Sequence, residues 1–304
     1  MSGMILVIGS INTDLVTTTQ CMPQAGETVM ARHFAMLPGG KGANQAVAAS
    51  RLGAKTMLAG RVGDDAFGQL SLQGLRNSGV AVDRVLVTPG VPSGVATILV
   101  EDGGENRILV VSGANALVSP ADLPDELLAL AALVVLQLEI PIDTVYDVIG
   151  RATVPVILNP APAVKLDPAK LAGLAYLIPN QHELSELSGL PTTRSDEVVA
   201  AARRLIRQGV GTVIVTLGGD GAMLVTRERV AHVEAPTVKP VDTTGAGDAF
   251  IGCFAATLMQ TGDVDAALAR AVRYASLSVT RFGAQGSYAT AADFEVTRAR
   301  DAAG

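Results

Sequence analysis

Short apolar runs alternating with helical patterns constrain this 304-residue chain more than any other feature. The runs at 5–9, 132–137, 154–159, 175–179 and 212–217 have the length of strands, and each is almost wholly apolar. A strand apolar at every position must be covered on both faces, which is the condition of a parallel sheet between two helical layers. Helical spacing falls at 42–52, 67–78, 120–130, 142–152, 196–208, 248–261 and 264–281. The expected fold is therefore α/β: three layers, with a mostly parallel central sheet. An apolar content of 49% supplies the core that such a fold needs.

Residues 13–37 and 91–112 interrupt this rhythm. They hold extended, partly alternating segments with no helical period, and we expect them to form a small second sheet, a lid inserted in a single domain spanning 1–304. A lid of that kind excludes water from a site beneath it.

In open parallel sheets ligands sit beyond the carboxyl ends of the strands, where Gly9, Asn159, Asn180 and Gly218-Gly219 fall. The richest segment is DTTGAGD at 242–248, which runs straight into an apolar helical pattern. A helix opening on Gly245-Ala246-Gly247 offers unpaired N–H groups and the positive end of its dipole, a cradle for phosphate or a developing anion. Asp248 stands on its first turn. A carboxylate beside an anion site makes sense if it accepts a proton from a hydroxyl attacking phosphorus, so the pair suggests phosphoryl transfer to an alcohol. Its place at a helix N-terminus stabilises the anion and predicts a weak base.

A second glycine-rich turn, PGGKGAN at 38–44, opens the helix expected at 42–52. Lys41 and Asn44 add donors suited to hydroxyls, although a tight turn with a solvated lysine would explain the same residues. The segment fits neither the P-loop nor the dinucleotide pattern. Asn12 and Asp14, two apart on an extended chain, point the same way and can grip vicinal hydroxyls or cap a turn. Asn180 and Glu183 suit a hydrated Mg²⁺ with phosphate, or equally a capping box. Glu139 ends an apolar strand. His33, His182 and His232 lack metal-ligand spacing and read as surface residues.

Aromatic residues are only 3% and Trp is absent, which argues against stacking platforms for bases or carbohydrate. A net charge of −6 argues against a nucleic-acid partner. Cys21 and Cys253 imply no disulfide framework, no run is long enough to span a bilayer, and no basic leader precedes 5–8. The expectation is a soluble, cytoplasmic protein.

Taken together the motifs resemble the ribokinase-like (PfkB) sugar kinases along essentially the whole chain. They are GSINTD at 9–14, GGKGANQAVAASRLGA at 39–54, VGDDAFG at 62–68, LNPAPA at 158–163, PNQHE at 179–183, VTLGGDGA at 215–222 and VDTTGAGDAFIG at 241–252. The resemblance implies ATP-dependent phosphorylation of the 5-hydroxyl of D-ribose, with Mg²⁺ and an activating K⁺, in a homodimer joined through the lid. Carried over by position, Asn12, Asp14, Gly39, Gly40, Lys41, Asn44 and Glu139 hold the sugar, and Asp248 is the base. ATP lies over Thr216, Leu217, Gly218, Gly219, Asp220 and Gly221, with Asn180 and Gly247 near the phosphates and Glu183 holding Mg²⁺ through water. The monovalent cation takes Asp242 and Thr244, backbone oxygens of Ser278, Arg281 and Gly283, and Ser287. Val272 stands where these kinases often carry His or Asn beside the adenine, so no polar contact is expected there. The residues at 250–254 and 262–264 also resemble family members that use 2-deoxyribose. In those the position of Asn12 is apolar, so Asn12 favours ribose. A nucleoside kinase or a non-enzymatic sugar sensor on the same fold are the other readings, and Asp248 argues against the sensor.

Overall fold

The computed structural model describes residues 3–103 and 105–301. Strands β1 (Met4–Ile8), β2 (Asn12–Thr19) and β3 (His33–Gly39) lead into helix α1 (Lys41–Arg51), β4 (Thr56–Gly63), α2 (Ala66–Asn77), β5 (Ala81–Thr88), β6 (Gly94–Glu101) and β7 (Asn106–Val111). The chain continues through α3 (Asp125–Leu130), β8 (Ala131–Leu136), α4 (Ile142–Arg151), β9 (Val156–Leu158), β10 (Tyr176–Leu177), α5 (Gln181–Ser188) and α6 (Ser195–Arg207). It ends with β11 (Thr212–Thr216), the hairpin β12 (Ala222–Val225) and β13 (Val230–Val233), and helices α7 (Ala246–Thr261), α8 (Val264–Ser278) and α9 (Ala291–Asp301).

Nine strands form the main sheet in the order β13-β12-β11-β10-β9-β8-β1-β4-β5. It is parallel from β11 to β5, with the β12–β13 hairpin antiparallel at one edge. Alternation along β1 shows why both faces are covered. Ile5 and Val7 belong to the core under α1, α7 and α8, whereas Leu6 and Ile8 belong to the core under α4 and α6. All four are fully buried, so β1 reads as a continuous apolar run rather than an alternating one.

The five expected strands are the contiguous parallel block β11 to β1. Three differences have local causes. The strands expected at 154–159 and 175–179 shrink to the three residues of β9 and the two of β10. The helix expected at 120–130 splits into a 3₁₀ turn at Pro120–Asp122 and α3, because Pro124 at the N-cap holds an extended conformation. The helix expected at 264–281 ends at Ser278, beyond which Thr280 and Arg281 donate to Leu277 and Ser278 in tighter turns. Strands β4, β5, β12 and β13 were not expected. Gly60, Arg61 and Gly63 interrupt the apolar run of β4, β5 and β13 carry the exposed residues of sheet edges, and β12 is only four residues long.

A separate four-stranded sheet, β3-β2-β6-β7, is built from residues 12–39 and 94–111. Only Gly9, Ser10 and Ile11 separate β1 from β2, so the small sheet rises directly from the carboxyl end of the main one.

Candidate active site

Helices α1 and α7 both begin at that carboxyl end, and their first turns carry most of the site. Gly40 is the N-cap of α1 at φ +87°, and a Cβ there would lie 2.7 Å from the backbone nitrogen of Asn12. Glycine thus lets the helix start against β2. A Cβ on Gly39 would meet the Asp14 carboxylate at 2.2 Å. These two glycines make room for Asn12 and Asp14.

Lys41 is surrounded by acids. Burial works against its ammonium, but the charges of Asp248, Glu139, Glu183 and Asp14 outweigh that and hold its pKa above the ordinary lysine value. The structure therefore gathers five residues from β2, α1, α5, α7 and the β8–α4 loop into one electrostatic cluster. Glu139 Oε2 accepts from the Ser10 hydroxyl and from the Lys41 backbone N–H, which caps α1 with a charge of the favourable sign. Asp14 is pushed up to about 6 by burial first, then by Glu139 and Asp248, with Lys41 offsetting part of this.

Asp248 is 6% exposed and held at both oxygens. Asn44 Nδ2 donates to Oδ2 and Gln45 Nε2 to Oδ1, both at 2.9 Å. Each amide is held in turn: Gln285 Nε2 donates to Asn44 Oδ1, and Gln137 Nε2 donates to Gln45 Oε1. Burial raises the Asp248 pKa above the ordinary carboxylate value, while Lys41, Asn44 and Gln45 pull it back. Desolvation, the largest effect, thus acts opposite to the weak base expected from its place on the helix.

Gly245 caps α7 at φ +72°, and a Cβ there would strike Ala284 and the Tyr288 hydroxyl, each at 2.6 Å. That hydroxyl donates to the Gly245 carbonyl. The Ala246 N–H turns back to the Thr243 carbonyl, so the cradle is narrower than expected: among the described residues, the N–H groups of Gly245, Gly247 and Asp248 are left without a carbonyl. A Cβ on Gly247 would meet no protein atom, so this stretch of the turn faces open space. It borders a cavity of about 220 Å³ that also reaches Lys41, Asn180, Glu183 and Asp248.

Asn180 and Glu183 form the reciprocal capping box of α5, each side chain accepting from the other's backbone N–H at 2.8 Å. Burial raises the Glu183 pKa, and its carboxylate still lines the cavity. A neighbouring cleft of about 460 Å³ is lined by Thr216, Gly218, Gly219, Gly221, Gly247 and Val272, with mainly apolar walls from Val238, Phe250 and Val279. Leu217 and Asp220 do not line it. They face a separate hollow of about 340 Å³ beside Gln181 and His232.

Of the cation-loop residues, Asp242, Thr244 and Gly283 meet. Thr244 donates twice to Asp242 Oδ1, and the Gly283 N–H donates to Oδ2. Burial opposes the Asp242 charge, but these bonds hold its pKa below the ordinary value. Ser278 and Arg281 are linked through a turn bond, and the Ser287 hydroxyl donates to Ala284. Among the described residues no three His, Cys, Asp or Glu side chains cluster as a dedicated metal site would need.

Sequence reasoning missed Gln45, Gln137, Gln285, Asn115, Thr243 and Tyr288. The signal was present for the first two: Gln45 directly follows Asn44 in α1, Gln137 closes the otherwise apolar run 132–137, and each is 1% exposed.

A cradle of free amides, a clamped carboxylate and a polar cluster thus lie together beside an apolar cleft. The chain matches the family described as pfkB family carbohydrate kinase over residues 2–291. It is 44% identical over 296 residues to the deoxyribokinase of Salmonella typhi, covering 95% of this chain and 97% of that one. To the ribokinase of Bacillus subtilis strain 168 it is 41% identical, covering 96% and 98%. The structure of Arabidopsis thaliana ribokinase complexed with ribose and ATP superposes with a TM-score of 0.90 at 33% identity, covering 97% and 98%. The chain belongs to the pfkB family of carbohydrate kinases. Within that family it is a ribokinase-like sugar kinase.

Proposed function

We propose that the protein transfers the γ-phosphoryl group of ATP to the 5-hydroxyl of D-ribose, giving D-ribose 5-phosphate. The observation that carries this is the junction at the start of α7, where free N–H groups of Gly245 and Gly247 adjoin the clamped Asp248 carboxylate. The amides hold the phosphoryl oxygens, and Asp248 takes the proton of the attacking hydroxyl. Asn44 and Gln45 each occupy one acceptor site on a different Asp248 oxygen, which fixes the plane of the carboxylate and leaves one site on each oxygen. Positioning and charge neutralisation do most of the work in a loose, in-line transfer. Lys41 adds positive charge between sugar and phosphate.

Asn12 and Asp14 hold the sugar hydroxyls with Gly39, Gly40, Asn44 and Glu139. The nucleotide base lies in the apolar cleft beside Val272, and Asn180 reaches the phosphates. Glu183 would hold Mg²⁺ through water, and the ion, when bound, would supply charge neutralisation for the transferred phosphate. The loop of Asp242, Thr244, Ser278, Arg281, Gly283 and Ser287 would hold K⁺. The small sheet acts as the lid of a single kinase domain. Its apolar residues Phe34, Met36, Ile108 and Leu109 are 63%, 53%, 53% and 70% exposed, which supports a homodimer through this sheet.

A second acceptor, 2-deoxyribose, is favoured by the 44% identity to a deoxyribokinase. Asn12 argues for ribose, since a buried amide facing a missing hydroxyl is left unpaired at a cost of about 1–3 kcal/mol. Coupled ADP release over a panel of pentoses and nucleosides tests both. Ribose should lead 2-deoxyribose roughly tenfold or more in kcat/KM. Equal or better use of 2-deoxyribose overturns the ribose assignment, and no ADP release with any sugar overturns the kinase reading.

A further inference from the structure

Asn115 lies in the 3₁₀ turn Gly113–Leu117, outside every motif quoted above, and is 1% exposed. Its Oδ1 accepts from the Ile11 backbone N–H at 2.9 Å. Its Nδ2 donates to the Ile11 carbonyl at 3.1 Å and to Asn12 Oδ1 at 2.7 Å. A backbone N–H can only donate, so the end of Asn115 that faces it must be oxygen and the other end must be the NH₂ group. That NH₂ can only donate, so Asn12 must turn its own oxygen toward it. The remaining end of Asn12 is then Nδ2, a donor. The orientation of the Asn12 amide is thus dictated, through Asn115, by the backbone polarity of Ile11. Gly94 leaves space for this contact: a Cβ there would lie 2.1 Å from Asn12 Oδ1 and 2.3 Å from Asn115 Nδ2.

We propose that Asn115 is a positioning residue for substrate specificity, which fixes Asn12 as a hydrogen-bond donor toward the sugar. This rests on the assignment of Asn12 and Asp14 to the sugar site. A hydroxyl both accepts and donates. Asn12 Nδ2 gives to its oxygen and the Asp14 carboxylate takes its hydrogen, so the pair is matched to a hydroxyl and mismatched to a bare CH₂. Without Asn115 the Asn12 amide can present either end, and the advantage of the sugar bearing the extra hydroxyl is lost.

The test compares Asn115→Leu and Asn115→Asp with the parent and with Asn12→Leu, each assayed with ribose and 2-deoxyribose on the same preparation. The ratio of the two kcat/KM values cancels any loss of folded enzyme, and the near-isosteric aspartate variant keeps the experiment open if the leucine variant does not fold. Both Asn115 variants should lower the ribose to 2-deoxyribose ratio roughly tenfold, through KM rather than kcat. The double variant Asn12→Leu/Asn115→Leu should show no further fall than Asn12→Leu alone. A purely structural Asn115 would lower both sugars alike. An unchanged ratio in the Asn115 variants, with a changed ratio in Asn12→Leu, overturns the positioning role. An unchanged ratio in Asn12→Leu overturns the sugar-site assignment with it.

Discussion

Replacing Asp14 by asparagine should make the protein more stable and less active at once. The Asp14 carboxylate is pushed up to about 6 by burial and by the like charges of Glu139 and Asp248. An unfolded chain titrates this group near 3.9, about two units lower. At roughly 1.36 kcal/mol per unit, holding Asp14 ionised costs the fold about 3 kcal/mol above pH 6. The sign follows from the raised value. Below about pH 4 the proton is on in both states and nothing is lost, whereas between about 4 and 6 the unfolded chain ionises first and stability falls. Asparagine has no proton to lose, so the variant should gain about 3 kcal/mol at pH 8 and only about 1 kcal/mol at pH 4.5. With an unfolding entropy of about 2.1 cal/mol/K per residue over 304 residues, the gain at pH 8 is about 5 °C in Tm. Melts of sugar-free parent and variant at both pH values read this directly. Sugar kinetics give the other half: losing a charged acceptor should lower kcat/KM by roughly ten- to a hundredfold. The parent's own kcat/KM should fall as pH drops below about 6. A variant no more stable than the parent at pH 8, or a gain that does not shrink at pH 4.5, would refute the reasoning.

Asp248→Asn should bind nucleotide normally and lose roughly two to four decades of turnover, the usual range for a general base; a rate within about threefold of the parent removes Asp248 from that role. Exchanging K⁺ for a bulky organic cation at constant ionic strength should slow the reaction severalfold, since a cation at Asp242 and Thr244 orders the turn leading into the amide cradle. An unchanged rate rules that loop out as an activating site. Leu109→Glu should give a monomer in sedimentation where the parent is a dimer, because it places charge on an exposed apolar strand. A monomeric parent at micromolar concentration would end the proposal of assembly through the small sheet.

How much was legible follows from what each residue answers to. Strands β1, β8 and β11 are buried on both faces and carry unbroken apolar runs, so composition alone marks them. Strand β4, one strand in from the sheet edge, holds Arg61, which pays for its place by bidentate donation to Asp122. No local pattern signals a partner sixty-one residues away. The helix starts at α1 and α7 were legible because their glycines answer to local backbone geometry. The roles of those glycines were not: Gly40 and Gly245 yield to Asn12 and Tyr288, contacts that exist only in the folded chain.

The basicity of Asp248 shows the same division in its sharpest form. From sequence, a carboxylate on the first turn of a helix is a stabilised anion and a poor base. In the fold, the same residue is buried and shares a cluster with Asp14, Glu139 and Glu183, with Lys41 as the cation among them. Desolvation is the largest effect on the carboxylate, and Lys41, Asn44 and Gln45 offset only part of it, so the raised pKa prevails. That direction suits the proposed chemistry. A base held above its ordinary value accepts the hydroxyl proton more readily, and the donations of Asn44 and Gln45 favour its ionised form and aim it. Neither amide carries charge, so the clamp orients Asp248 without adding a second cation that would depress its basicity as far as an arginine would.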